Sequence, residues 1–129
     1  MIGSNAFNYI NVLDKAADAS FKRNEIIANN LANVNTPGYK RKDVQFQTYL
    51  RSALIGDNSL DSRIAGVNLN SLNATVYTDQ ATLSYRLDGN NVDIDAESAT
   101  FAENQIYYYA LLDSMTQEFN RIKTVLTSK

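Results

Sequence analysis

The 129-residue sequence contains no cysteine, no histidine and no tryptophan, and it has a single proline. Without cysteine and histidine the chain cannot form disulfides, thiolate or imidazole metal sites, or nucleophile pairs of the Ser-His and Cys-His kind. An enzyme built from this sequence would depend on carboxylates, lysines or tyrosines. We therefore predict no catalytic residues, no metal and no cofactor.

Charge and hydropathy exclude two further kinds of partner. The net charge is −2, so no basic excess is present to neutralise a nucleic-acid backbone. No apolar run approaches the roughly 18 residues that a membrane span requires. Residues 1–11 lack both the positive start and the continuous apolar stretch of a signal peptide. We expect no nucleic-acid partner, no membrane span and no cleaved signal peptide.

The first 36 residues have the pattern of one long helix. Apolar and small residues recur at alternating spacings of four and three, which is typical of a coiled-coil seam. This first seam consists of Ala6, Ile10, Leu13, Ala17, Ser20, Asn24, Ile27, Leu31 and Val34. Because a proline disfavours helical backbone at the residue before it, Pro37 predicts a helix end near residues 33–35.

Residues 93–129 repeat this pattern at the other end of the chain. The second seam consists of Phe101, Gln105, Tyr108, Leu112, Met115, Phe119, Ile122 and Leu126. Asp93 or Asp95 is the expected N-cap of a helix over 95–125. A first helix of about 45 Å is too long for a 14.4 kDa monomer to bury alone. The sequence thus predicts a mainly α fold, a coiled-coil-like helical hairpin of the terminal helices within one structural unit.

The segment 37–92 between the seams is expected to be irregular. Residues Thr36-Pro37-Gly38-Tyr39 fit a type II turn, with proline second and glycine third. Residues 43–55 could form one or two helical turns, and 56–73, rich in Asn, Ser, Asp and Gly, are predicted to be loop. The β-prone stretches 75–78 and 82–87 predict a small β-hairpin.

Sixteen asparagines are present, and four of them crowd the end of the first helix. Asn33 and Asn35 fit helix termination, because asparagine tolerates left-handed backbone. Asn29 and Asn30 lie further inside the helix, where asparagine is a mediocre helix former. The alternative is that these amides specify packing against other helices at a subunit contact. The sequence leaves the two interpretations open.

Two clusters of charged residues are explained by solvent exposure and helix capping rather than by a binding site. Lys40-Arg41-Lys42 is the only basic cluster, and it is predicted to be a solvated loop rather than an ionic contact with a neighbouring subunit. Asp93, Asp95, Glu97 and Glu103 form the only acidic cluster. They could serve a carboxylate-using helical binding protein, but capping and the helix dipole explain them better.

Two stretches resemble a known family. Ala28 to Tyr39 resembles the N-terminal signature of the bacterial flagellar axial proteins, which are the rod, hook and hook-associated subunits. Arg86 to Asp93, with Glu97, Asn104 and Tyr108, resembles the C-terminal part of one of the two proximal-rod subunits. The alternative is the other one, the FlgC type, which usually has a Glu-rich start to its last helix.

The resemblance implies a structural subunit of the flagellar basal-body rod, in the proximal part of the drive shaft that joins the motor to the hook, required for motility. Its implied partners are copies of itself, other rod proteins, components of the rod base and export gate, and the flagellar type III export apparatus. Its implied location is the extracytoplasmic rod. The motif and packing residues expected to serve subunit contacts are Ile10, Leu13, Ile27, Asn29, Asn30, Leu31, Asn33, Thr36, Pro37, Gly38, Tyr39, Asn90, Asn91, Asp93, Phe101, Asn104, Tyr108, Leu112, Met115, Phe119 and Ile122.

Overall fold

A computed structural model describes residues 2–56, 59–79 and 86–128 of the chain, and two long helices dominate it. The elements in chain order are α1 (Ile2–Ala32), β1 (Lys42–Gln45), α2 (Gln47–Leu54), α3 (Leu60–Ala65), a 3-10 turn (Leu69–Ser71), β2 (Thr75–Thr78) and α4 (Ile94–Thr127). The predicted fold class is confirmed, because the terminal helices pack together and a small antiparallel sheet lies between them in the chain.

The helices α1 and α4 pack antiparallel. Near the end of α1, Asn30 bonds to Glu97 in the first turn of α4. About three turns earlier in α1, Ser20 bonds to Asn104, and the ring of Phe21 lies 6.2 Å from that of Tyr108. Positions that run backwards along α1 therefore meet positions that run forwards along α4.

The end of α1 lies close to its predicted position, and the start of α4 follows from local chemistry. Helix α1 ends at Ala32, one residue before the predicted range. Helix α4 begins at Ile94 because the Asp93 carboxylate accepts hydrogen bonds from the backbone N–H groups of Asp95 (3.0 Å) and Ala96 (3.2 Å). The acidic residues of its first turn also suit the positive end of the helix dipole.

The middle segment contains a two-stranded sheet. Strands β1 and β2 pair antiparallel, with Lys42 opposite Thr78 and Gln45 opposite Thr75. Strand β2 coincides with the predicted strand 75–78, but its partner among the described residues is β1 rather than the predicted strand 82–87, most of which lies outside the described residues. Helix α2 forms within the predicted 43–55 stretch.

The prediction of a loop over 56–73 is wrong in part, because α3 and the 3-10 turn lie there. Ser59 caps α3 by accepting a hydrogen bond from the N–H of Ser62, and Asn68 caps the 3-10 turn in the same way. Serine and asparagine both break helices and begin them, so composition alone pointed to a loop. The buried side chain of Ile64 then fixes α3 to the protein.

The hydrophobic core forms where the middle segment packs on the hairpin. Its buried residues are Ala16, Ala17, Ala19, Phe46, Leu72 and Leu111. The three alanines belong to α1, and their small side chains let the middle segment approach the helix closely. Helix α1 is thus covered on two sides, by α4 and by the middle segment.

Candidate assembly interface

Helix α4 carries more apolar surface than α1 covers. The predicted second seam consists of two rows. The row Phe101, Tyr108, Met115 and Ile122 is partly buried. The row Gln105, Leu112, Phe119 and Leu126 is exposed, with Leu112 at 37%, Phe119 at 51% and Leu126 at 80% of their full exposure. The contact with α1 uses Glu97, Asn104 and Leu111 instead, so the buried seam is rotated by one row from the predicted one.

Each helix of the hairpin has at least one continuous exposed row with spacings of four and three. We define the α4 outer row as Gln105, Tyr109, Leu112, Thr116, Phe119, Lys123 and Leu126, all of them exposed. We define the α1 outer row as Phe7, Asn11, Asp14, Asp18, Phe21, Glu25 and Ala28, also all exposed. A regular row of this kind can accept another helix along its length.

The two outer rows lie on the same side of the hairpin. The ring of Phe21 in the α1 row lies 6.2 Å from that of Tyr108, which in turn lies 5.9 Å from the ring of Tyr109 in the α4 row. Tyr107 and Tyr108 both pack against the core formed with the middle segment.

The other predicted seam residues are those of α1, and they face into the protein. Ile10 and Ile27 are buried, and Leu13 and Leu31 are partly buried. They belong to the contact of α1 with the rest of its own chain. A role for them in contacts between subunits remains a prediction.

Two glycine-containing turns meet where α1 ends and α4 begins, a region that we call the joint (residues 30–43, 79 and 86–97). In the first, the N–H of Tyr39 donates to the carbonyl of Thr36 at 3.2 Å, and Gly38 has the positive φ of 73° that a type II turn requires. The N–H of Gly38 also donates to the carbonyl of Asp88 at 2.7 Å, in the second turn. The predicted turn is present, and its surface residues Thr36 and Pro37 are exposed.

Asn30 is fully buried and makes four hydrogen bonds within the chain. Its amide nitrogen donates to the carbonyl of Lys42 (2.7 Å) and to Glu97 (3.2 Å). Its amide oxygen accepts from the N–H of Lys42 (2.9 Å) and from the Tyr39 hydroxyl (2.9 Å). Burial and the nearby Glu97 charge raise the pKa of Tyr39, which keeps this hydroxyl a donor. One amide thus connects α1, β1 and α4.

Asn90, also fully buried, caps α1 from more than fifty residues away. Its amide nitrogen lies within 3.0 Å of the carbonyls of Asn33, Val34 and Thr36. Its amide oxygen accepts from the N–H of Val92 at 2.8 Å. The carbonyls that a helix end leaves unpaired are therefore satisfied by the segment before α4.

Other asparagines bond to their own chain as well. Asn104 donates to the carbonyl of Ser20 and to the side chain of Asn24, both at 2.8 Å. Asn91 accepts from the N–H of Arg41 at 2.7 Å. Asn33 donates to the carbonyl of Asn29, which is exposed. Of the two interpretations left open, local capping fits Asn33. The Asn30 amide binds elements of its own chain rather than another subunit.

Arg41 occupies the centre of the joint, and neither sequence interpretation of the basic cluster is correct for it. Its guanidinium forms ion pairs with Glu97 (2.5 Å), Asp79 (3.1 Å) and Asp43 (3.1 Å). Asp43 also pairs with Arg23 of α1 at 2.9 Å. Burial alone would lower the pKa of Arg41. Its hydrogen bonds to these carboxylates raise the pKa by a larger amount, so the pKa lies above its usual value.

Sequence reasoning missed Arg41 because its partners lie up to 56 residues away. The only local signal is Asp43 two positions later.

The predicted acidic cluster does not form one site, because its members have different contacts. Asp93 caps α4, and Glu97 binds Arg41. In the described part of the chain, no three acidic side chains converge on a possible metal site. No helix among the described residues is long and apolar enough to cross a membrane.

Comparison with known proteins identifies the family. The family model described as "Flagella basal body rod protein" matches residues 10–40, which cover most of α1 and the first turn of the joint. The flagellar basal body rod protein FlgB of Bacillus subtilis is 38% identical over 117 residues, covering 89% of this chain and 90% of the relative. The chain belongs to the FlgB family of flagellar basal body rod proteins.

More distant FlgB proteins match over the same extent. FlgB of Borrelia hermsii is 32% identical and covers 91% of this chain and 94% of the relative. FlgB of Escherichia coli is 31% identical, with coverages of 88% and 89%. Between the two proximal-rod types that the sequence left open, these matches favour FlgB over the FlgC type. This FlgB-family chain combines a joint rich in hydrogen bonds with two exposed helical rows.

Proposed function

We propose that this FlgB-family chain is a structural subunit of the proximal flagellar rod, part of the drive shaft that joins the motor to the hook. In this role it carries torque through contacts with its neighbours and performs no chemistry. The observation that supports the proposal most directly is the α4 outer row, whose apolar residues Tyr109, Leu112, Phe119 and Leu126 are exposed along the helix. An exposed apolar stripe of this length marks an interaction site.

The distribution of apolar residues supports a packed position for α4. Besides the α4 outer row, Ile94 and Ile106 are more than half exposed on this helix. A helix that is apolar around much of its circumference is normally surrounded by other elements. In the rod, α4 would contact helices of several neighbouring subunits, either copies of this chain or other rod proteins.

The place of assembly follows from the same proposal. A rod lies outside the cytoplasmic membrane, so the chain is exported to it, and we propose the flagellar type III apparatus and the gate at the rod base as the route. The proposed subunit contacts include the exposed motif residues Asn29, Thr36 and Pro37 as well as Leu112 and Phe119.

The test is complementation of a strain that lacks this chain. The variant Leu112→Asp/Phe119→Asp places two carboxylates in the α4 outer row without altering the buried core. We expect secretion of the subunit to continue, while complete hook–basal bodies and swimming are lost. The matched control is Asn120→Asp, which adds a carboxylate to an exposed site on the same helix outside the row. The proposal fails if the row variant swims like the control, or if the deletion strain itself swims.

A further inference from the structure

The two edges of the small sheet differ in how their backbone groups are satisfied. On the outer edge of β1, the N–H and the carbonyl of Lys42 both bond to the Asn30 side chain of α1, at 2.9 and 2.7 Å. The N–H of Val44 bonds to the Asp43 carboxylate at 2.7 Å. This edge is therefore covered by side chains of the same chain.

The edge of β2 has no such cover. Lys42 lies opposite Thr78, and Val44 lies opposite Val76. Opposite residues of an antiparallel pair alternate between exchanging two backbone bonds and exchanging none. Because Lys42 bonds to Asn30, both of these pairs are of the second kind. The N–H and carbonyl groups of Val76 and Thr78 thus point away from β1, and no hydrogen bond within the described part of the chain reaches them.

Strand β2 also lacks the devices that usually protect an edge strand. Its residues Thr75, Val76, Tyr77 and Thr78 are all exposed, and none of them is charged or proline. Natural edge strands are commonly shielded by lysine, proline, a bulge or a covering element. The β-branched and aromatic residues of β2 instead favour pairing with another strand.

We propose that the free edge of β2 pairs antiparallel with the β2 edge of a second copy, around a two-fold axis at Tyr77. In this register Val76 of each copy lies opposite Thr78 of the other, and outward N–H groups meet outward carbonyls. The two tyrosines lie opposite each other as an aromatic cross-strand pair. The partial charges of the two edges are complementary, and no formal charge on β2 opposes the contact.

This contact differs in kind from the contacts of a rod and goes beyond the proposed function. A two-fold contact uses the same surface on both copies, so it closes at a dimer, whereas a rod grows by contacts between different surfaces. Each copy contributes one short strand, while a stable interface uses about 20–30 residues a side. The dimer is therefore weak and reversible, and it belongs to subunits that are outside the rod.

The absence of cysteine from the chain allows a direct test with single cysteines. Tyr77→Cys places two thiols at opposite residues whose Cα atoms lie about 4.5 Å apart, which is within the range of a disulfide. Mild oxidation of the purified full chain should therefore give disulfide-linked dimers.

The matched control is Thr75→Cys, which lies in the same strand and is also exposed. In the proposed register the two copies of residue 75 are four residues apart along the strands, or about 14 Å. This separation is too long for a disulfide, so Thr75→Cys should form at least about tenfold less dimer than Tyr77→Cys.

A second measurement tests the pairing without a covalent bond. Tyr77→Lys and Tyr77→Glu each place like charges opposite each other, which should weaken dimerisation about two- to fivefold in sedimentation at high protein concentration. An equal mixture of the two variants should recover the loss, because a lysine then faces a glutamate. Circular dichroism checks that all variants keep the same helix content.

The inference is overturned if Tyr77→Cys forms no more disulfide dimer than Thr75→Cys. It is also overturned if the mixture of the lysine and glutamate variants associates no better than either variant alone. The β2 edge would then be available to a strand of a different protein instead of a second copy. Both results leave the proposed rod function standing, because that proposal depends on the α4 outer row.

Discussion

The two ends of the helical hairpin are built differently. At the joint, the fully buried amides of Asn30 and Asn90 and the guanidinium of Arg41 connect α1, β1 and α4. At the open end, α1 begins and α4 finishes. Among the described residues there, the Tyr9 hydroxyl of α1 donates a hydrogen bond to the Asp61 carboxylate of α3. Phe119 and other large apolar side chains are exposed there. The joint fixes the arrangement of the two helices, and the open end leaves apolar surface exposed.

This division follows from the nature of the two interactions. A buried polar group must meet its partner at the right distance and angle or its desolvation is uncompensated, so a polar network specifies one arrangement. Apolar burial is non-directional and scales with area. An exposed apolar row can therefore pack against a neighbouring molecule without determining how the chain itself folds. The comparison predicts that substitutions at the joint destabilise the isolated subunit strongly and those at the open end hardly at all.

The largest expected effect comes from Arg41→Met. It removes the cation that three carboxylates share, and breaking a buried ion pair from one side costs about 3–5 kcal/mol. Urea denaturation followed by circular dichroism would measure the loss. The matched control is Arg121→Met, because Arg121 is mostly exposed and pairs with Glu118 on the same helix. Equal free energies of unfolding for the two variants would contradict the central role of Arg41.

Asn30→Ala should have the next largest effect. It leaves the N–H and carbonyl of Lys42 without their Asn30 partners, and each unsatisfied buried group costs about 1–3 kcal/mol. We expect a loss of about 3 kcal/mol in the same urea experiment. The control is Asn29→Ala, one residue earlier and exposed, which should change the free energy of unfolding by less than about 0.5 kcal/mol.

The long helices and the turn at Gly38 could be predicted from sequence because their signals are local. Periodicity, the Asp93 cap and the Pro37-Gly38 pair lie within a few residues of the structure that they determine. The prediction for 56–73 was wrong in part because serine and asparagine are common both in loops and at the N-caps of helices. The α4 seam was rotated by one row because the row that faces α1 contains the polar residues Glu97 and Asn104, which a search for apolar spacing passes over.

The joint could not be predicted, since its contacts join residues that are distant in sequence. Asn90 caps α1 across 54–57 residues, and Arg41 reaches Glu97 across 56. The nearby Asp43 is also close to Lys42 in the sequence, so it does not distinguish Arg41 from the lysines on either side. The asparagine density did indicate a structural requirement, but not whether its partners lay in the same chain.

Acid should weaken the joint by a smaller amount. Burial alone would raise the pKa of Asp43, but hydrogen bonds from Arg23 and the Val44 N–H, with the Arg23 charge, hold it below its usual value. Its ionised form therefore stabilises the fold above the unfolded pKa of about 4, and this contribution is lost as the pH falls through the folded pKa. Unfolding free energies measured from neutral to acidic pH should fall less steeply for Asp43→Asn than for the unmodified chain. Parallel curves would exclude this role.

Gly38→Val should cost about 1–2 kcal/mol. A Cβ at Gly38 would meet nothing within 4 Å, so the cost comes from the positive φ alone, which β-branched residues rarely adopt. Gly38→Asn should be milder because asparagine tolerates this conformation. In cells, we expect fewer complete hook–basal bodies with Gly38→Val and near-normal secretion. If valine and asparagine have equal effects, the turn does not depend on φ as described.

The smallest effect on the isolated subunit should come from Phe119→Ser at the open end. Phe119 is half exposed, so replacing it removes little buried apolar area. The free energy of unfolding should therefore change by less than about 0.5 kcal/mol. The matched variant is Leu111→Ser, on the same helix but buried against the alanines of α1. It should cost about 2–5 kcal/mol, as for other large-to-small core substitutions. If Phe119→Ser destabilises the monomer as much as Leu111→Ser does, the outer row already has a partner within the chain, and the contrast between the two ends is wrong.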